Sequence, residues 1–227
     1  MKRPPQIGGN RIAAWVILVL LIGGLNLYAR HVSGPPGRDV LYRYSTAIGG
    51  LVQYAVILAI VLSIAWGLDR REVFGLRRPR SLPAAAGWIV LALLAVWGVS
   101  AALSTVLNAG KDQGLVPDRW EPAHAGAFIA NFVVVVIVAP VVEELTFRGF
   151  GVSGLTALLG PTAAIVGVGL AFGAWHGLVV AFPALAILGG ILAALRLRTA
   201  SVYPSMVAHA IFNGTALVAA VVAGVGK

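Results

Sequence analysis

Long apolar runs that carry almost no charge constrain this chain most strongly. Residues 149–195 contain no Asp, Glu, Lys or Arg, and across the chain 59% of residues are hydrophobic while 11% are charged. Soluble domains carry roughly 25% charged residues, and a fold of this length leaves too much surface in water to hide so many apolar side chains. A helix needs about 20 apolar residues to cross a bilayer, and the runs reach that length. The sequence therefore predicts a membrane protein.

Seven membrane helices are predicted from these runs. Proline interrupts helices, so the uncharged stretch divides at Pro161 and at Pro183. The predicted helices, numbered 1 to 7, cover residues 12–30, 44–68, 83–108, 122 to at least 150, 161–181, 183–198 and 201–225. The expected fold class is an all-α polytopic membrane protein of about seven transmembrane helices. Residues 1–227 are expected to form a single membrane domain, with helices 1–3 in 1–121 flanking a catalytic core of helices 4–7 in 122–227.

The basic residues predict the orientation in the membrane. The net charge is +9, and a cytoplasmic N-terminus places most of the 17 Lys and Arg on the cytoplasmic side. The remainder then lie outside: Arg30, Arg38, Arg43, Lys111, Arg119 and Lys227. We expect a multi-pass protein of the cell (plasma) membrane. Nucleic acid is not an expected partner, because its recognition needs a clustered basic patch on a soluble face.

Two further features of the chain limit its chemistry and its processing. There are no cysteines, which excludes disulfides, thiol catalysis and cysteine-ligated metal centres. The first apolar run follows a basic start, as in a cleaved signal peptide. The run is long enough to span a bilayer and no small-x-small cleavage site follows it, so helix 1 is expected to be retained.

Four ionisable residues lie within or beside the apolar runs: Glu143, Glu144, His176 and His209. An ionisable group at membrane depth costs about 3 kcal/mol on insertion scales, which makes each of them a functional candidate. The alternative is that the glutamates are interfacial charges at a helix end. His31 and His124 lie in or near extramembrane segments and are assigned no role.

The adjacent glutamates are expected to differ in function. Glu144 and Arg148 are four residues apart with the glutamate first, which is the favoured order for an ion pair on one helix face. Glu143 lies about 100° round the helix and has no local cation. This favours Glu144 as a structural residue and Glu143 as a general base. The alternative is that both carboxylates hold Arg148.

Two histidines follow on later helices, each with a partner four residues away. Phe172 shares a helix face with His176, and His209 shares one with Asn213. The second pair could stabilise an oxyanion or bind a metal. The alternatives are a hydrogen bond to a neighbouring helix for His176 and a polar clamp between helices for His209 and Asn213.

The ordered set of EExxxR, FxxxH and HxxxN on successive membrane helices resembles the family of CAAX proteases and bacteriocin-processing enzymes. The resemblance covers roughly 122–225, with Glu143, Glu144 and Arg148 in the first motif, Phe172 and His176 in the second, and His209 and Asn213 in the third. The chain is shorter than eukaryotic prenyl-protein endopeptidases, which indicates a bacterial-type member. Eukaryotic relatives remove the last three residues of prenylated CAAX proteins.

The resemblance implies an intramembrane endopeptidase with a peptide or protein substrate that is lipidated or membrane-bound. Glu143 and His176 would activate water, His209 and Asn213 would stabilise the oxyanion, and Glu144, Arg148 and Phe172 would support the site. A divalent metal such as zinc, held by Glu143, His176 and His209, is the alternative to a metal-independent mechanism. No HExxH pair is present, which favours the metal-independent one.

Two other functions stay open from the sequence: a catalytically silent scaffold or bacteriocin self-immunity protein, and a transporter with a Glu–His proton relay. Transporters often show repeated halves, and none is apparent here. The depth of the two histidines sets one structural condition. His176 lies about 22 Å along helix 5 and His209 about 12 Å into helix 7, both from the same side. A shared site therefore requires helix 5 to begin well below the bilayer, or helix 4 to run deep.

Overall fold

The computed structural model describes residues 7–34, 37, 39–107, 117 and 120–224. The predictions for Arg38, Lys111, Arg119 and Lys227 lie outside these residues. Within them the chain forms helices and loops and no strand. The helices are α1 (Gly9–Ser33), α2 (Tyr44–Ile64), α3 (Arg70–Phe74), α4 (Leu82–Leu107), α5 (Pro122–Leu159), α6 (Pro161–Trp175), α7 (Phe182–Thr199) and α8 (Tyr203–Gly224).

The helices confirm the all-α polytopic membrane fold. Within the described residues, six of them are long and apolar enough to cross a membrane: α1, α2, α4, α5, α7 and α8. The fifth of the seven predicted membrane helices, α6, is apolar but has only 15 residues, which is short of a full crossing. Many large apolar side chains of the six long helices, such as Leu20, Val52 and Leu94, are exposed on the outside of the bundle. In water such a surface would drive association, whereas lipid solvates it. The buried side chains form a continuous apolar core that extends from α1 to α8.

Helix α5 is far longer than a bilayer crossing needs. Its 38 residues span about 57 Å at 1.5 Å per residue, against a hydrocarbon core of about 30 Å. A helix 4 of this length is able to run deep, which is one of the two ways in which the depth condition can be met. His176 and His209 come to the same place, with both rings against Phe172.

The predicted end of helix 5 at residue 181 is wrong. Helix α6 ends at Trp175 after 15 residues, His176 is its C-cap, and Gly177 follows with a φ of 60°. A left-handed glycine is the usual stop after a helix. A side chain at Gly177 would also collide with the backbone of α1, because a Cβ there would lie 2.5 Å from the Leu27 nitrogen. The turn at 176–181 therefore replaces the last predicted turns of the helix.

Two π-helical segments interrupt α5, at Val134–Val138 and at Leu145–Gly151. Between them Ala139–Glu144 is α-helical and carries both glutamates. Side chains of other helices donate hydrogen bonds to carbonyl groups of these two π-helical segments. Trp15 Nε1 of α1 donates to the Thr146 oxygen at 2.9 Å, and Asn213 Nδ2 of α8 donates to the Val135 oxygen at 3.0 Å. Single-turn π segments are frequent at functional sites, and here they flank the glutamates.

The backbones of α6 and α7 pack closely against each other, and Arg148 of α5 reaches the backbone of α7. A Cβ on Gly169 would lie 2.6 Å from the Ala186 oxygen, and one on Gly189 would lie 2.9 Å from the Gly169 Cα. Only glycine permits this approach, as is common between membrane helices. The Gly189 carbonyl oxygen then accepts a hydrogen bond from Arg148 Nη2 at 3.2 Å.

Candidate active site

The ion pair predicted from the four-residue spacing in α5 is present and fully buried. Arg148 Nη1 lies 2.9 Å from Glu144 Oε1, and both side chains are 0% exposed. The guanidinium also lies 4.3 Å from the centre of the Phe172 ring, a distance suited to a cation–π contact. A buried charge is tolerated only when it is paired, so the opposite charges of Glu144 and Arg148 stabilise each other inside the protein.

His209 lies between the two glutamates. Its Nδ1 is 2.9 Å from Glu144 Oε1, and its Nε2 is 3.9 Å from Glu143 Oε2. An ionised carboxylate only accepts hydrogen bonds, so Nδ1 is the donor to Glu144. The other gap is too long for a direct hydrogen bond, and one water molecule can bridge it. The sequence pairs His209 with Asn213 on one helix face, and the structure adds its contacts with both carboxylates.

Glu143 has a hydrogen-bond partner that the sequence analysis missed. The Tyr54 hydroxyl of α2 donates to Glu143 Oε1 at 2.7 Å. This leaves Oε2 as the oxygen on the His209 side. Tyr54 lies in the region expected only to flank the core. A tyrosine in an apolar run is ordinary, so no local signal identifies it, although the polar Gln53–Tyr54 pair in that run could have raised the question.

His176 is oriented by its own helix. Its Nδ1 lies 2.8 Å from the Phe172 carbonyl oxygen, and its ring packs edge-on against Phe172 at 4.8 Å between centroids. A carbonyl oxygen only accepts, so Nδ1 carries the proton in this contact. The neutral ring then keeps its lone pair on Nε2. His176 is partly exposed, in contrast to the buried His209.

Phe172 is the ring around which the site is assembled. It is fully buried and packs against His176, His209 and Phe147, with centroid distances of 4.8, 5.7 and 5.3 Å. Together with the contact to Arg148, this arrangement lets one aromatic side chain limit the movement of three polar groups. Phe172, which the sequence analysis predicts to support the site, therefore contacts both histidines.

A single cavity of about 320 Å³ brings together four of the predicted site residues, Glu143, His176, His209 and Asn213. Phe172 also lines it, whereas Glu144 and Arg148 lie behind this wall. Neither His31 nor His124 is a lining residue. The flanking helices α1 and α2 contribute polar lining residues that the sequence analysis did not select: Asn26, Arg30, Gln53 and Tyr54.

The fit of the site to a metal ion can be tested on the donor groups. Catalytic zinc takes three protein ligands at about 2.0–2.2 Å. Among the residues that the structure describes, no group of three His, Cys, Asp or Glu side chains is placed to hold a metal. Glu143, His176 and His209 share the cavity without forming such a group, so these residues do not fit a resident metal ion.

Part of the chain matches a known protein family. Residues 125–215 match the model described as type II CAAX prenyl endopeptidase, Rce1-like. The matched region contains all of the predicted site residues and excludes Tyr54, Arg30 and Asn26. Comparisons with curated proteins and with solved structures returned no match.

Proposed function

This chain belongs to the CAAX protease family of intramembrane proteases, and we propose that it hydrolyses a peptide bond in the cavity around Glu143. The family implies a peptide or protein substrate that is met in a membrane. One observation carries the assignment of the site. His209 lies between two buried carboxylates on the wall of a cavity that His176 and Asn213 also line.

In the proposed reaction, Glu143 and His176 activate the attacking water. The water oxygen attacks the carbonyl carbon of the peptide bond while Glu143 takes one proton from that water. The C–N bond then breaks, and Glu143 passes the proton to the leaving nitrogen. The lone pair on His176 Nε2 orients the water by accepting its second hydrogen. The 3.9 Å gap between Glu143 Oε2 and His209 Nε2 supports a water position beside this carboxylate.

His209 and Asn213 are the proposed stabilisers of the tetrahedral oxyanion. In this role Nε2 of His209 donates to the oxyanion while Nδ1 stays on Glu144. One amide hydrogen of Asn213 goes to the Val135 oxygen, which orients the group and leaves its second hydrogen for the oxyanion. Preorganised donors of this kind contribute about 10²–10³-fold to a rate each. Glu144 and Arg148 position His209.

Cleavage of a fluorogenic prenylated CAAX peptide by the purified protein tests this function. Wild-type protein is expected to cleave the peptide with and without a chelator, because the proposed mechanism is metal-independent. His176→Ala is expected to lose the activity at unchanged abundance. Activity that disappears with chelator and returns with zinc would replace this mechanism with a metal-dependent one. Activity that survives in His176→Ala would remove that residue from the mechanism.

Tyr54→Phe is expected to lower kcat/KM by about tenfold without changing the amount of folded protein. The substitution removes one hydrogen bond to a charged group, worth about 1.5–3 kcal/mol, part of which water replaces. Steady-state cleavage kinetics measure the loss, and Tyr44→Phe at the exposed start of the same helix is the matched control. A Tyr54→Phe enzyme with wild-type kinetics would show that the hydroxyl does not act on Glu143.

We also propose a plasma-membrane location with a cytoplasmic N-terminus, as for a bacterial-type member. Arg70, Arg71 and Arg77 support this orientation, since they lie in and beside α3 on one connection between membrane helices. Reporter fusions at that connection and beyond α8 test the proposal. The connection is expected to report cytoplasm, and a periplasmic or extracellular signal there would invert the orientation.

A further inference from the structure

We propose that a groove between α4 and α7 binds an anionic phospholipid, with the phosphate at Arg198 and part of one acyl chain along the two helices. This groove shares no lining residue with the cavity around Glu143. The inference does not depend on the proposed function, because lipid binding requires no hydrolysis.

The groove is apolar along its length and charged at one end. Trp88 and Ala95 mark its two ends on α4, and Arg198 and Ile191 mark them on α7, so each side runs about 10 Å at 1.5 Å per residue. The volume of about 210 Å³ is below the roughly 300–1,000 Å³ of pockets that enclose a whole ligand, which suits part of one chain. The lining residues are Trp88, Leu91, Ala92, Ala95, Ile191, Ala194, Leu195 and Arg198.

Arg198 and Trp88 form the polar end of the groove. Arg198 is exposed on the last turn of α7, and its Cζ lies 5.2 Å from the centre of the Trp88 ring. At this distance a cation–π contact holds the guanidinium at the end of the groove. Within the described part of the chain no carboxylate forms an ion pair with Arg198. Its N–H donors can therefore bind a phosphate, which a guanidinium holds through two parallel hydrogen bonds.

Further positive charge at this end of the bundle favours an anionic ligand. The segment before α4 carries Arg77, Arg78 and Arg80. Arg77 Nε donates to the Ala200 oxygen at 2.8 Å, which fixes the segment beside the end of α7. Glu72, at 3.4 Å from Arg77 Nη1, offsets one of these charges. Basic residues next to a membrane helix attract anionic lipids, so a headgroup without its own cation is favoured over a zwitterionic one.

The position of the groove on the bundle indicates a lipid as the source of the phosphate. Tryptophan is typical of the level between headgroups and acyl chains, and an arginine near a helix end can extend to the same level. From Trp88 and Arg198 the groove runs towards the middle of the two apolar helices. Leu91 and Ala95 are exposed along it, as expected of a surface that lipid covers. A phosphate with an attached hydrocarbon chain matches both parts of the groove, whereas a free phosphate matches only the first.

Native mass spectrometry of the full chain in neutral detergent tests the site, with phosphatidylglycerol and phosphatidylcholine of identical acyl chains as probes. Wild-type protein is expected to bind one phosphatidylglycerol about fivefold or more tighter than phosphatidylcholine. Arg198→Gln is expected to lose this preference. Arg78→Gln, at an exposed position at the same end of the bundle but outside the groove, should keep it. Equal binding of both lipids by wild type, or equal losses in the two variants, would overturn the site.

Filling the groove tests the acyl chain separately from the phosphate. Ala95→Leu keeps Arg198 and places a larger side chain where the acyl chain would lie, and Ala86→Leu, exposed on the same helix outside the groove, is the matched control. Phosphatidylglycerol should raise the Tm of wild type and Ala86→Leu more than that of Ala95→Leu. Inorganic phosphate should leave every Tm unchanged. An equal rise in Ala95→Leu, or a rise with inorganic phosphate that Arg198→Gln abolishes, would refute the lipid as the ligand.

Discussion

Glu143→Gln is expected to lower kcat for peptide cleavage by roughly 10²–10⁴-fold, the usual contribution of a general base. Glutamine keeps the shape of the side chain and an oxygen that accepts from the Tyr54 hydroxyl, so packing around the site is retained. It removes the lone pair that takes the proton from water. The fluorogenic peptide assay measures the loss, with purified protein normalised by its folded fraction.

Two controls make the result specific to chemistry. Glu121→Gln changes a carboxylate outside the cavity and should leave kcat unchanged. Thermal unfolding in detergent should give the same Tm for Glu143→Gln and wild type to within a few degrees. Cleavage at the wild-type rate in Glu143→Gln would refute the proposed role of this residue.

The same substitution separates the enzyme from the alternatives of a silent scaffold or immunity protein. A scaffold depends on the shape of the membrane domain, which glutamine at 143 preserves. Loss of the cellular function at normal abundance therefore favours chemistry, and a normal cellular function favours a scaffold. A proton-relay transporter would also lose function, but its purified protein would not cleave peptide.

Arg148→Met is the second substitution with a large expected effect. It should lower the free energy of unfolding by about 3–5 kcal/mol. The substitution leaves Glu144 as a buried carboxylate without its cation, and the desolvation cost is then uncompensated. Adding Glu144→Gln should recover much of the loss, because it removes the unpaired charge. The neutral pair is also close in volume to the original one.

A double-mutant cycle on the free energy of unfolding measures this coupling. We expect a coupling of about 1–3 kcal/mol between the two positions. Arg43→Met, which breaks the exposed pair between Arg43 and Asp39, is the control and should change stability by less than about 1 kcal/mol. Additive effects of Arg148→Met and Glu144→Gln would show that the buried pair is not a stabilising unit. The double variant should remain inactive, since His209 loses its charged partner.

Local patterns account for the parts of the site that lie on one helix. The four-residue spacing of Glu144 and Arg148 predicts their ion pair, which the structure contains. The spacings of Phe172 with His176 and of His209 with Asn213 likewise predict shared faces, and four of these candidates line one cavity. Such predictions succeed because helix geometry converts sequence distance into direction. The catalytic roles of these residues stay predictions until they are measured.

Features that depend on contacts between distant helices could not be predicted. Tyr54 and Glu143 are far apart in the chain, and nothing in either neighbourhood indicates the hydrogen bond between them. The end of α6 at Trp175 is followed by Gly177, where the close approach of α1 leaves no room for a side chain. His209 acquires both carboxylates only because α8 packs against the α-helical segment of α5 that carries them.

The sequence by itself determined the membrane class, the approximate spans and the residues that can carry chemistry, because the cost of burying charge in lipid leaves few ionisable groups away from the loops. The tertiary structure alone decided how these groups meet. His176 at the end of α6 and His209 on α8 meet because both rings pack against Phe172. Packing of α1 and α2 against the core then adds Arg30 and Tyr54 to the cavity, since side chains from separate helices converge only when the bundle is assembled.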